Sequence, residues 1–389
     1  MTLSRRVAIV HDWLTGMRGG ERVLEELCEI FPNADIYTLL YVQGTVSEKI
    51  ASHRIISSRI QRLPKSWVFY RYFLPFFPAA IESFDLRGYQ LVVSSSHCVA
   101  KGVCTDADTL NICYCYTPMR YAWDLAHTYL ERGQLRRPIK RLASFVMNPL
   151  RMWDVFSTQR VSEMVAISNH VGQRIRKYYR RGCSVIYPPV DCEKWTCEPK
   201  VGEHYLTVSA PAPYKRLDLI VNAFKELGKK LVIVGTTEHD LRWMGNMPKN
   251  IEILGWVDDE VLVKLYQSAK AFVFAAEEDF GIAPVEAQAA GKPVIAYGRG
   301  GVLETVRGIW PDDSPSADKR RLRDEKLTGV FYYPQTTSSL VSAVRYFEQI
   351  EDAFDGEAIK AHAQKFDKKR FCSEFGSFVE ERWLNFQKG

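Results

Sequence analysis

The sequence predicts an α/β chain built of two Rossmann-like domains that face a cleft. Short apolar segments typical of buried strands alternate with helical patterns in both halves of the chain, which favours parallel sheets. A strand, a loop and a helix follow Arg6 in that order, and the same order returns at Tyr205. A length of 389 residues accommodates two domains of ordinary size, each with its own core.

The first half opens with a strand over Arg6–Val10, and a glycine-rich loop ending at Gly20 leads into an amphipathic helix. The apolar positions of this helix recur at helical spacing: Val23, Leu24, Leu27, Cys28 and Ile30. A later strand begins at Met164 and ends in a helix cap, and Val185–Tyr187 is expected to be the last strand. These patterns predict a first domain over residues 1–190.

Five strand-like segments follow in the second half: Tyr205–Ser209, Lys230–Val234, Ile251–Leu254, Ala271–Ala276 and Val294–Tyr297. Helical patterns separate them, which predicts a second domain over residues 203–366. The prolines at 188 and 189 break any helix at the start of the linker, which extends to Gly202. A long amphipathic helix, Lys368 to Phe386, lies in a C-terminal segment of residues 367–389.

The composition excludes several classes of protein. Hydrophobic residues make up 46% and charged residues 25% of the chain, as in globular proteins. No run of about 18 apolar residues is present, so no membrane-spanning helix is expected, and no signal peptide is recognised. Nine scattered cysteines favour reduced thiols in a cytosolic protein, with Cys113 and Cys115 expected on opposite faces of one strand.

Two stretches poor in acidic residues combine cations with apolar side chains. Between Arg132 and Arg151, helical spacing predicts a basic amphipathic helix at an anionic membrane surface. Its cations include Arg136, Arg137, Lys140 and Arg141. A second candidate extends from Arg54 to Phe84, where aromatic residues interleave with cations. Ordinary packing with solvated charges is the alternative for both stretches, and nucleic-acid binding is not expected because no recognised module accompanies the charge.

The segment from Ala271 to Gly301 carries the strongest functional pattern. An apolar strand is followed by three acidic residues, and Pro284 then lies in the first turn of an alanine-rich helix. Glu278 and Glu286 therefore flank a strand–loop–helix corner at the carboxyl edge of a parallel sheet, where open α/β sheets bind ligands. Backbone N–H groups at the helix start suit a phosphate, and carboxylates accept hydrogen bonds from sugar hydroxyls. This corner suits a nucleotide sugar.

Glu278 and Glu286, with seven residues between them that include Phe280-Gly281 and Pro284, resemble the E-x7-E signature of retaining GT-B glycosyltransferases of family four. The chain is also similar to bacterial O-antigen and capsule mannosyltransferases of that family in several other segments. These are His11–Trp13, Gly19–Glu21, Ser94–His97, Val99–Gly102, Tyr116–Asp124 and Ile186–Asp191. The resemblance covers most of the chain and both domains.

The resemblance implies an acceptor-binding first domain, a nucleotide-sugar-binding second domain, and a C-terminal helix that crosses back to pack on the first. It implies four catalytic candidates: Glu278, Lys215, Arg216 and His97. The donor-binding candidates are Gly19, Gly20, Lys215, Arg216, Trp256, Val257, Phe280, Gly281, Ile282, Ala283 and Glu286. On the acceptor side the candidates are Tyr116, Arg120 and Trp123.

Two positions depart from the family pattern. Many relatives carry an arginine where this chain has Ala210, which places more weight on Lys215 and Arg216 as cations for a leaving diphosphate. Many also carry a histidine where this chain has Tyr116, so an imidazole acting at that position is excluded. His97 is either a substitute for that imidazole or a packing residue.

The expected function is transfer of a hexose, with mannose from GDP-mannose as the first choice of donor, to a polyprenyl-diphosphate-linked glycan in surface polysaccharide synthesis. The protein is expected at the inner face of the bacterial cytoplasmic membrane. The alternatives are a UDP-sugar-dependent transferase of the same fold and a nucleotide-sugar-binding protein without turnover. No metal or other cofactor is expected, because the D-x-D spelled by Asp106 and Asp108 lies in a polar turn and protein cations neutralise the diphosphate.

Overall fold

The computed structural model describes residues 5–124, 137–195, 202–311 and 326–388, except for the side chains of residues 71 and 137–146. The chain forms two compact units, one made of Met1–Pro189 and Lys369–Gly389 and the other of Val190–Lys368. Each unit contains a seven-stranded sheet whose described pairings are all parallel. The predicted α/β fold with two Rossmann-like domains is confirmed.

The strands of the first unit are β1 (Val7–His11), β2 (Asp35–Thr38), β3 (Ile55–Ser57), β4 (Leu91–Ser96), β5 (Leu110–Cys115), β6 (Glu163–Ala166) and β7 (Ser184–Val185). Their spatial order is β3-β2-β1-β4-β5-β6-β7. Every residue of β4 and of β5 is buried, as expected for central strands of a parallel sheet covered on both faces.

The helices of the first unit that precede the linker are α1 (Gly19–Ile30), α2 (Glu48–Ala51), α3 (Ser66–Phe69), α4 (Phe77–Glu82), α5 (Arg137–Ser157) and α6 (Asn169–Tyr179). Short 3-10 turns lie at Arg59–Arg62, Tyr70–Phe76, Ala100–Gly102 and Thr158–Arg160. Helix α5 contains the second part of the predicted basic helix. The cations of that prediction, from Arg132 to Arg141, lie outside the described residues or side chains.

The strands of the second unit are β8 (His204–Val208), β9 (Leu231–Val234), β10 (Ile251–Gly255), β11 (Ala269–Phe274), β12 (Val294–Tyr297), β13 (Gly308–Ile309) and β14 (Gly329–Tyr332). Their spatial order is β10-β9-β8-β11-β12-β14-β13. The helices that follow the linker are α7 (Leu217–Leu227), α8 (Glu238–Leu241), α9 (Asp259–Ser268), α10 (Ile282–Ala289), α11 (Val302–Thr305), α12 (Thr337–Gln349), α13 (Gly356–Ala363) and α14 (Lys368–Phe386). Of these, α14 belongs to the first unit except for its first residue.

The strand order reverses once in each sheet. In the first unit the chain runs outward from β1 to β3 and returns on the other side of β1 at β4. In the second unit it runs outward from β8 to β10 and returns beside β8 at β11. At such a point the loops after the two central strands diverge to opposite faces and leave a crevice at the carboxyl edge. The predicted site residues follow β1, β4 and β5 in the first unit and β8, β10 and β11 in the second.

The cysteines of β5 correct one expectation from the sequence. Cys113 and Cys115 were expected on opposite faces, but side chains two positions apart on a strand point to the same face. Both side chains are fully buried, and their thiols interact with each other. Among the described residues the cysteines are reduced.

The C-terminal helix α14 packs within the first unit. Phe371 and Phe375 are fully buried and approach the ring of Tyr114 edge-on, with centroids 5.6 and 5.7 Å away. Glu380 of the same helix forms an ion pair with Arg5. The phenol of Tyr114 donates a hydrogen bond of 2.9 Å to the carbonyl of Ile186, so this aromatic cluster links α14 to the central sheet.

We predict that Phe375→Ala lowers the free energy of unfolding by roughly 3–5 kcal/mol, because it removes a buried ring and leaves a cavity beside Tyr114. The change is measured by denaturant unfolding. Leu384→Ala on the same helix is the matched control, since Leu384 is exposed and its loss should leave stability near that of the unaltered protein. Equal stability of the two variants would contradict the packing of α14 described above.

Candidate functional site

Two predicted catalytic residues of the second unit lie in contact. Lys215 ends a short turn, Pro213–Lys215, after β8, and Glu278 lies in the loop after β11. Because β8 and β11 are neighbours, the two loops meet, and the Lys215 ammonium donates to the Glu278 carboxylate in an ion pair. Each side chain is about one-fifth exposed. The pair therefore presents a cation and an anion together at the carboxyl edge of the sheet.

Arg216, the second predicted cation, has local partners. Its backbone is left-handed, with a φ of 53°, as the chain turns from the Pro213–Lys215 turn into α7. Its guanidinium bonds Asp218, with Nε 3.1 Å from Oδ1, and Nη1 donates to Gln335 at 2.9 Å. Gln335 in turn donates to the carbonyl of Ala275, at the end of β11. The structure thus ties Arg216 to the loop framework around the Lys215–Glu278 pair.

The neighbouring acid Glu277 points to a different partner. Its Oε1 lies 3.2 Å from Nε of Arg299, in the loop after β12. The two consecutive glutamates therefore pair with different cations, Glu277 with Arg299 and Glu278 with Lys215. Neighbouring side chains in an extended segment point in opposite directions, which agrees with this pairing. Glu278 alone of these two faces Lys215.

Gly300 and Gly301 hold the Glu278 loop in place. Gly300 has a φ of 83°, and a Cβ there would lie 2.6 Å from the carbonyl oxygen of Glu278. A Cβ on Gly301 would lie 2.4 Å from the carbonyl of Asp279, and its N–H donates to Glu278 O at 2.8 Å. The segment that carries the E-x7-E pattern ends at these two glycines. Their close approach to a neighbouring loop gives the pattern a physical reason.

Helix α10 starts directly after this loop. Gly281, with a φ of 88°, precedes it and has no side chain that could cap the first N–H groups. Ile282 and Ala283 are half-buried in the first turn, whereas Phe280 is buried against Phe366, with centroids 5.5 Å apart. A helix start can bind an anion through its backbone amides.

The remaining donor-side residues lie on both sides of this centre. Glu286 is half-buried on α10 and accepts a hydrogen bond of 3.3 Å from the phenol of Tyr266. Trp256 follows β10 and is 81% exposed, with Val257 half-buried beside it. An exposed indole at the carboxyl edge of the sheet offers a flat surface to an aromatic ring.

In the first unit the central feature is Asp12, which directly follows β1. Its fully buried carboxylate accepts four backbone N–H groups from residues 97–100, at 2.7 to 2.9 Å. Burial alone would raise the pKa of Asp12. The charge and hydrogen bonds of His97 lower this pKa by more than burial raises it, so the pKa lies well below the usual aspartate value. The group stays ionised at neutral pH and fixes the chain that follows β4.

Asp12 also orients His97. The Nδ1 atom of His97 lies 3.0 Å from Oδ2 of Asp12, and its ring is edge-on to Trp13 with centroids 4.5 Å apart. Since an ionised carboxylate only accepts, the Nδ1 atom of His97 carries the proton. The Nε2 atom of a neutral His97 is then an acceptor, held in a partly exposed ring.

A hydrogen-bonded chain connects the other first-unit candidates. His11 Nδ1 lies 2.9 Å from the hydroxyl of Ser95, which lies 2.8 Å from the phenol of Tyr116. The phenol donates to the carbonyl of Gly20 at 3.0 Å. Burial raises the pKa of Tyr116 well above its usual value, so the phenol stays protonated. His97, Tyr116 and Gly20 are therefore brought together at the carboxyl edge, next to Gly19 at the start of α1.

Trp123 and Arg120 have a more structural environment. The Trp123 indole N–H donates to Asp154 at 2.8 Å. Asp154 also pairs with Lys101 at 2.5 Å, and both charged groups are fully buried. Arg120 is half-buried. Trp123 is thus held by an interior ion pair, which sequence patterns did not reveal. Asp12 was likewise missed as a separate residue, although a charged residue directly after an apolar strand is a usable signal.

The D-x-D segment lies away from these side chains. Asp106 and Asp108 occupy the turn before β5, at the amino edge of the first sheet. The residues discussed above follow the carboxyl ends of β1, β4 and β5, at the opposite edge.

We predict that neutral His97 carries its proton on Nδ1, because the ionised Asp12 faces that atom. Nitrogen NMR of the imidazole rings should show a protonated Nδ1 and an unprotonated Nε2 for this residue, with His97→Gln used for assignment. A signal from a protonated Nε2 alone in neutral His97 would contradict the orientation described above.

A family model described as "Glycosyl transferases group 1" matches residues 198–308. An uncharacterized glycosyltransferase of Methanocaldococcus jannaschii is 33% identical over 110 residues, which are 25% of this chain and 28% of that protein. The alpha-1,3/1,6-mannosyltransferase ALG2 of Candida glabrata is 23% identical over 288 residues, 60% of this chain and 62% of that protein. The chain thus spans less than two thirds of either curated relative.

Solved structures match nearly the whole chain. Sucrose-phosphate synthase from Thermosynechococcus elongatus has a TM-score of 0.72 at 16% identity, covering 98% of this chain and all of that one. Anabaena HepE in complex with UDP-glucose has a TM-score of 0.63 at 15% identity, covering 96% of this chain and 99% of that one. At these identities the likeness shows the fold. The chain therefore has the GT-B fold, and its second unit carries the glycosyl transferases group 1 sequence pattern over residues 198–308.

Proposed function

We propose that this protein is a retaining glycosyltransferase that moves a hexose from a nucleotide sugar to a glycan acceptor. The observation that carries the proposal is the ion pair of Lys215 and Glu278 beside the start of α10. A cation, a carboxylate and helix amides at one edge of a parallel sheet suit a departing diphosphate and a sugar ring with developing positive charge. The group 1 match includes both residues and the start of the helix.

On the donor side, each group has a separate task. Lys215 and the amides of Gly281 to Ala283 bind the diphosphate, and Glu286 accepts hydrogen bonds from the ribose hydroxyls. Arg216 strengthens the positive field while Asp218 and Gln335 hold it in place. Trp256 and Val257 border the base. The second unit is accordingly the nucleotide-sugar-binding domain.

At the reacting carbon, Glu278 accepts hydrogen bonds from donor hydroxyls and stabilises the positive charge that grows on the ring. Transfer occurs on the face from which the diphosphate departs. The bond from the anomeric carbon to the phosphate oxygen breaks, the acceptor oxygen bonds to that carbon, and the acceptor proton passes to the leaving phosphate oxygen. This route needs no dedicated protein base, so the phenol at Tyr116 is compatible with activity.

The first unit is proposed to bind the acceptor, with the Gly19-Gly20 turn also approaching the donor. The Nε2 atom of His97 accepts a hydrogen bond from a substrate hydroxyl, because Asp12 holds the proton on the other ring nitrogen. The carboxyl-edge position of Tyr116 supports the same assignment, and Arg120 and Trp123 complete the proposed acceptor side. C-terminal helix α14 completes the hydrophobic core of this acceptor domain.

Mannose from GDP-mannose is the proposed donor, and the acceptor is a polyprenyl-diphosphate-linked glycan of surface polysaccharide or lipopolysaccharide synthesis. The Candida glabrata relative is named as a mannosyltransferase, which supports this donor. A UDP-sugar is the second candidate, favoured by the UDP-glucose bound to Anabaena HepE. No metal or other cofactor takes part in the proposed reaction.

The proposed location is the cytoplasmic face of the bacterial inner membrane, with peripheral attachment to anionic lipid. Within the described ranges, no helix is both long enough and apolar enough to span a bilayer. The cations between Arg132 and Arg151 support attachment by charge, which high salt should weaken.

The function is tested by incubating the purified protein with a panel of GDP- and UDP-sugars, with and without EDTA, and measuring release of the nucleoside diphosphate. Turnover of GDP-mannose that persists in EDTA supports the proposal. If only a UDP-sugar is turned over, the proposed donor changes from GDP-mannose to that UDP-sugar. Turnover that requires manganese overturns the metal-independent mechanism. Nucleotide binding without turnover would make the protein a nucleotide-sugar-binding protein.

We predict that Glu278→Gln lowers turnover by roughly 10²- to 10³-fold, because it removes a charge that stabilises the transition state. Binding of the free nucleoside diphosphate should be at least as tight as in the unaltered protein, since the change releases Lys215 from its ion pair. Turnover is measured by donor consumption and binding by calorimetry.

Glu277→Gln is the matched control for this variant. Glu277 contacts Arg299 rather than Lys215, so turnover should stay close to that of the unaltered protein. If Glu277→Gln loses turnover and Glu278→Gln retains it, the functional glutamate is one residue earlier than assigned, and the assignment of Glu278 is refuted.

We predict that Lys215→Ala lowers turnover by about 10²-fold or more, because contacts to a departing diphosphate strengthen as the bond breaks. Arg6→Ala is the control, since Arg6 is an exposed cation beside Asp35 and Tyr89 in the first unit. Equal donor turnover in the two variants would remove Lys215 from the site.

A further inference from the structure

An exposed apolar surface lies on the segment between β3 and β4. Six large side chains within 14 residues are at least 40% exposed. We name them the aromatic patch: Leu63, Trp67, Val68, Phe69, Tyr72 and Phe76. Tyr72 is 74% exposed and Phe76 64% exposed, values that are unusual for large apolar residues so close together in one segment.

The same segment is held to the first unit by its other face. Tyr70 and Phe77 are buried against Trp13, with ring centroids 5.2 and 6.0 Å away. Phe73 and Leu74 pack against the same core. Buried residues at both ends of this segment and near its middle anchor it to the core, and the exposed aromatic residues between them face away from that core.

Three cations lie before or within the aromatic patch in sequence, with no acidic residue among them. These cations, Arg59, Arg62 and Lys65, are exposed. Among the residues that the structure describes, none of the three forms an ion pair. The sequence contains no aspartate or glutamate between Ala51 and Glu82. An exposed apolar segment that carries cations and no acidic residue suits a partner that is apolar inside and negatively charged at its surface.

We propose that the aromatic patch and its three cations form a docking surface that inserts into the interface of an anionic lipid bilayer. Trp and Tyr side chains favour the headgroup level, where the ring is shielded and the polar atom stays hydrated. Arg59, Arg62 and Lys65 meet lipid phosphates at the same depth. The proposal rests on the proposed function for its purpose, since a lipid-linked acceptor would be reached from such a surface.

This surface differs from the predicted basic helix between Arg132 and Arg151 in its proposed mode of binding. Charge alone gives attachment that salt removes, whereas inserted aromatic rings add a contribution that salt does not screen. Binding should therefore fall with rising salt to a plateau above zero, and the residual binding should depend on the aromatic patch.

The test is flotation of the full chain with vesicles of phosphatidylglycerol and phosphatidylethanolamine, at low and high salt. The double variant Trp67→Ala/Tyr72→Ala should lower the partition coefficient by about tenfold or more, because it removes two inserted rings. Trp243→Ala is the matched control, since Trp243 is 69% exposed in the second unit. Its partition should equal that of the unaltered protein.

A second measurement locates the ring in the bilayer. Brominated lipids should quench tryptophan fluorescence of the unaltered protein more than that of Trp67→Phe, and bound Trp67→Phe should float equally well because phenylalanine still inserts. Circular dichroism checks that all variants are folded. Equal vesicle binding by the double variant and the unaltered protein overturns the proposal, as does absence of binding by the unaltered protein.

A second copy of the chain is the competing occupant. Concentration-dependent dimerisation that the double variant abolishes, without vesicle binding, would assign the aromatic patch to that interface and overturn the lipid proposal. Donor turnover measured in solution without detergent or vesicles tests the proposed function independently of lipid binding. The double variant should retain it, whereas vesicle binding without any turnover in the unaltered protein would refute the enzyme and leave the lipid surface standing.

Discussion

The pairing of β8 with β11 is the constraint on which the candidate donor site depends. These strands are neighbours in space but separated in sequence by two strands and their helices. Parallel pairing places their carboxyl ends at one edge, so the residues that follow them have to meet there. Lys215 and Glu278 come together for this reason. The order of the strands brings the two loops together, and the loops contribute the charged side chains of the ion pair.

The same principle acts in the first unit through buried polar groups. Asp12 follows β1 and accepts the amides of the segment after β4, which links two neighbouring strands at their carboxyl ends. An ionised side chain in the interior is costly unless it is fully hydrogen-bonded, and here four amides and one imidazole satisfy it. Lys101 and Asp154 form a second interior pair. Both arrangements hold side chains of the proposed acceptor site in position.

Much of the architecture was predictable because strand and helix patterns are local. The second-unit strands around Tyr205 and Ala271 were recognised from short apolar runs, and Glu278 from its spacing to Glu286. Interactions between distant segments were not. No pattern along the chain shows that Arg216 bonds Gln335, or that Asp12 captures amides some 85 positions away. The expectation for Cys113 and Cys115 was wrong for another reason, a misapplied strand period.

In the proposed reaction, the Lys215–Glu278 pair makes donor binding an exchange of one anion for another. The Glu278 carboxylate neutralises the Lys215 ammonium in this ion pair, so a diphosphate that binds Lys215 as proposed has to displace the carboxylate and gains only the difference between the two interactions. The displaced carboxylate is then left without its cation next to the sugar ring. The negative charge of Glu278 stabilises the ring most strongly when the ring becomes positive in the transition state. Binding of the diphosphate therefore frees the carboxylate that stabilises its departure.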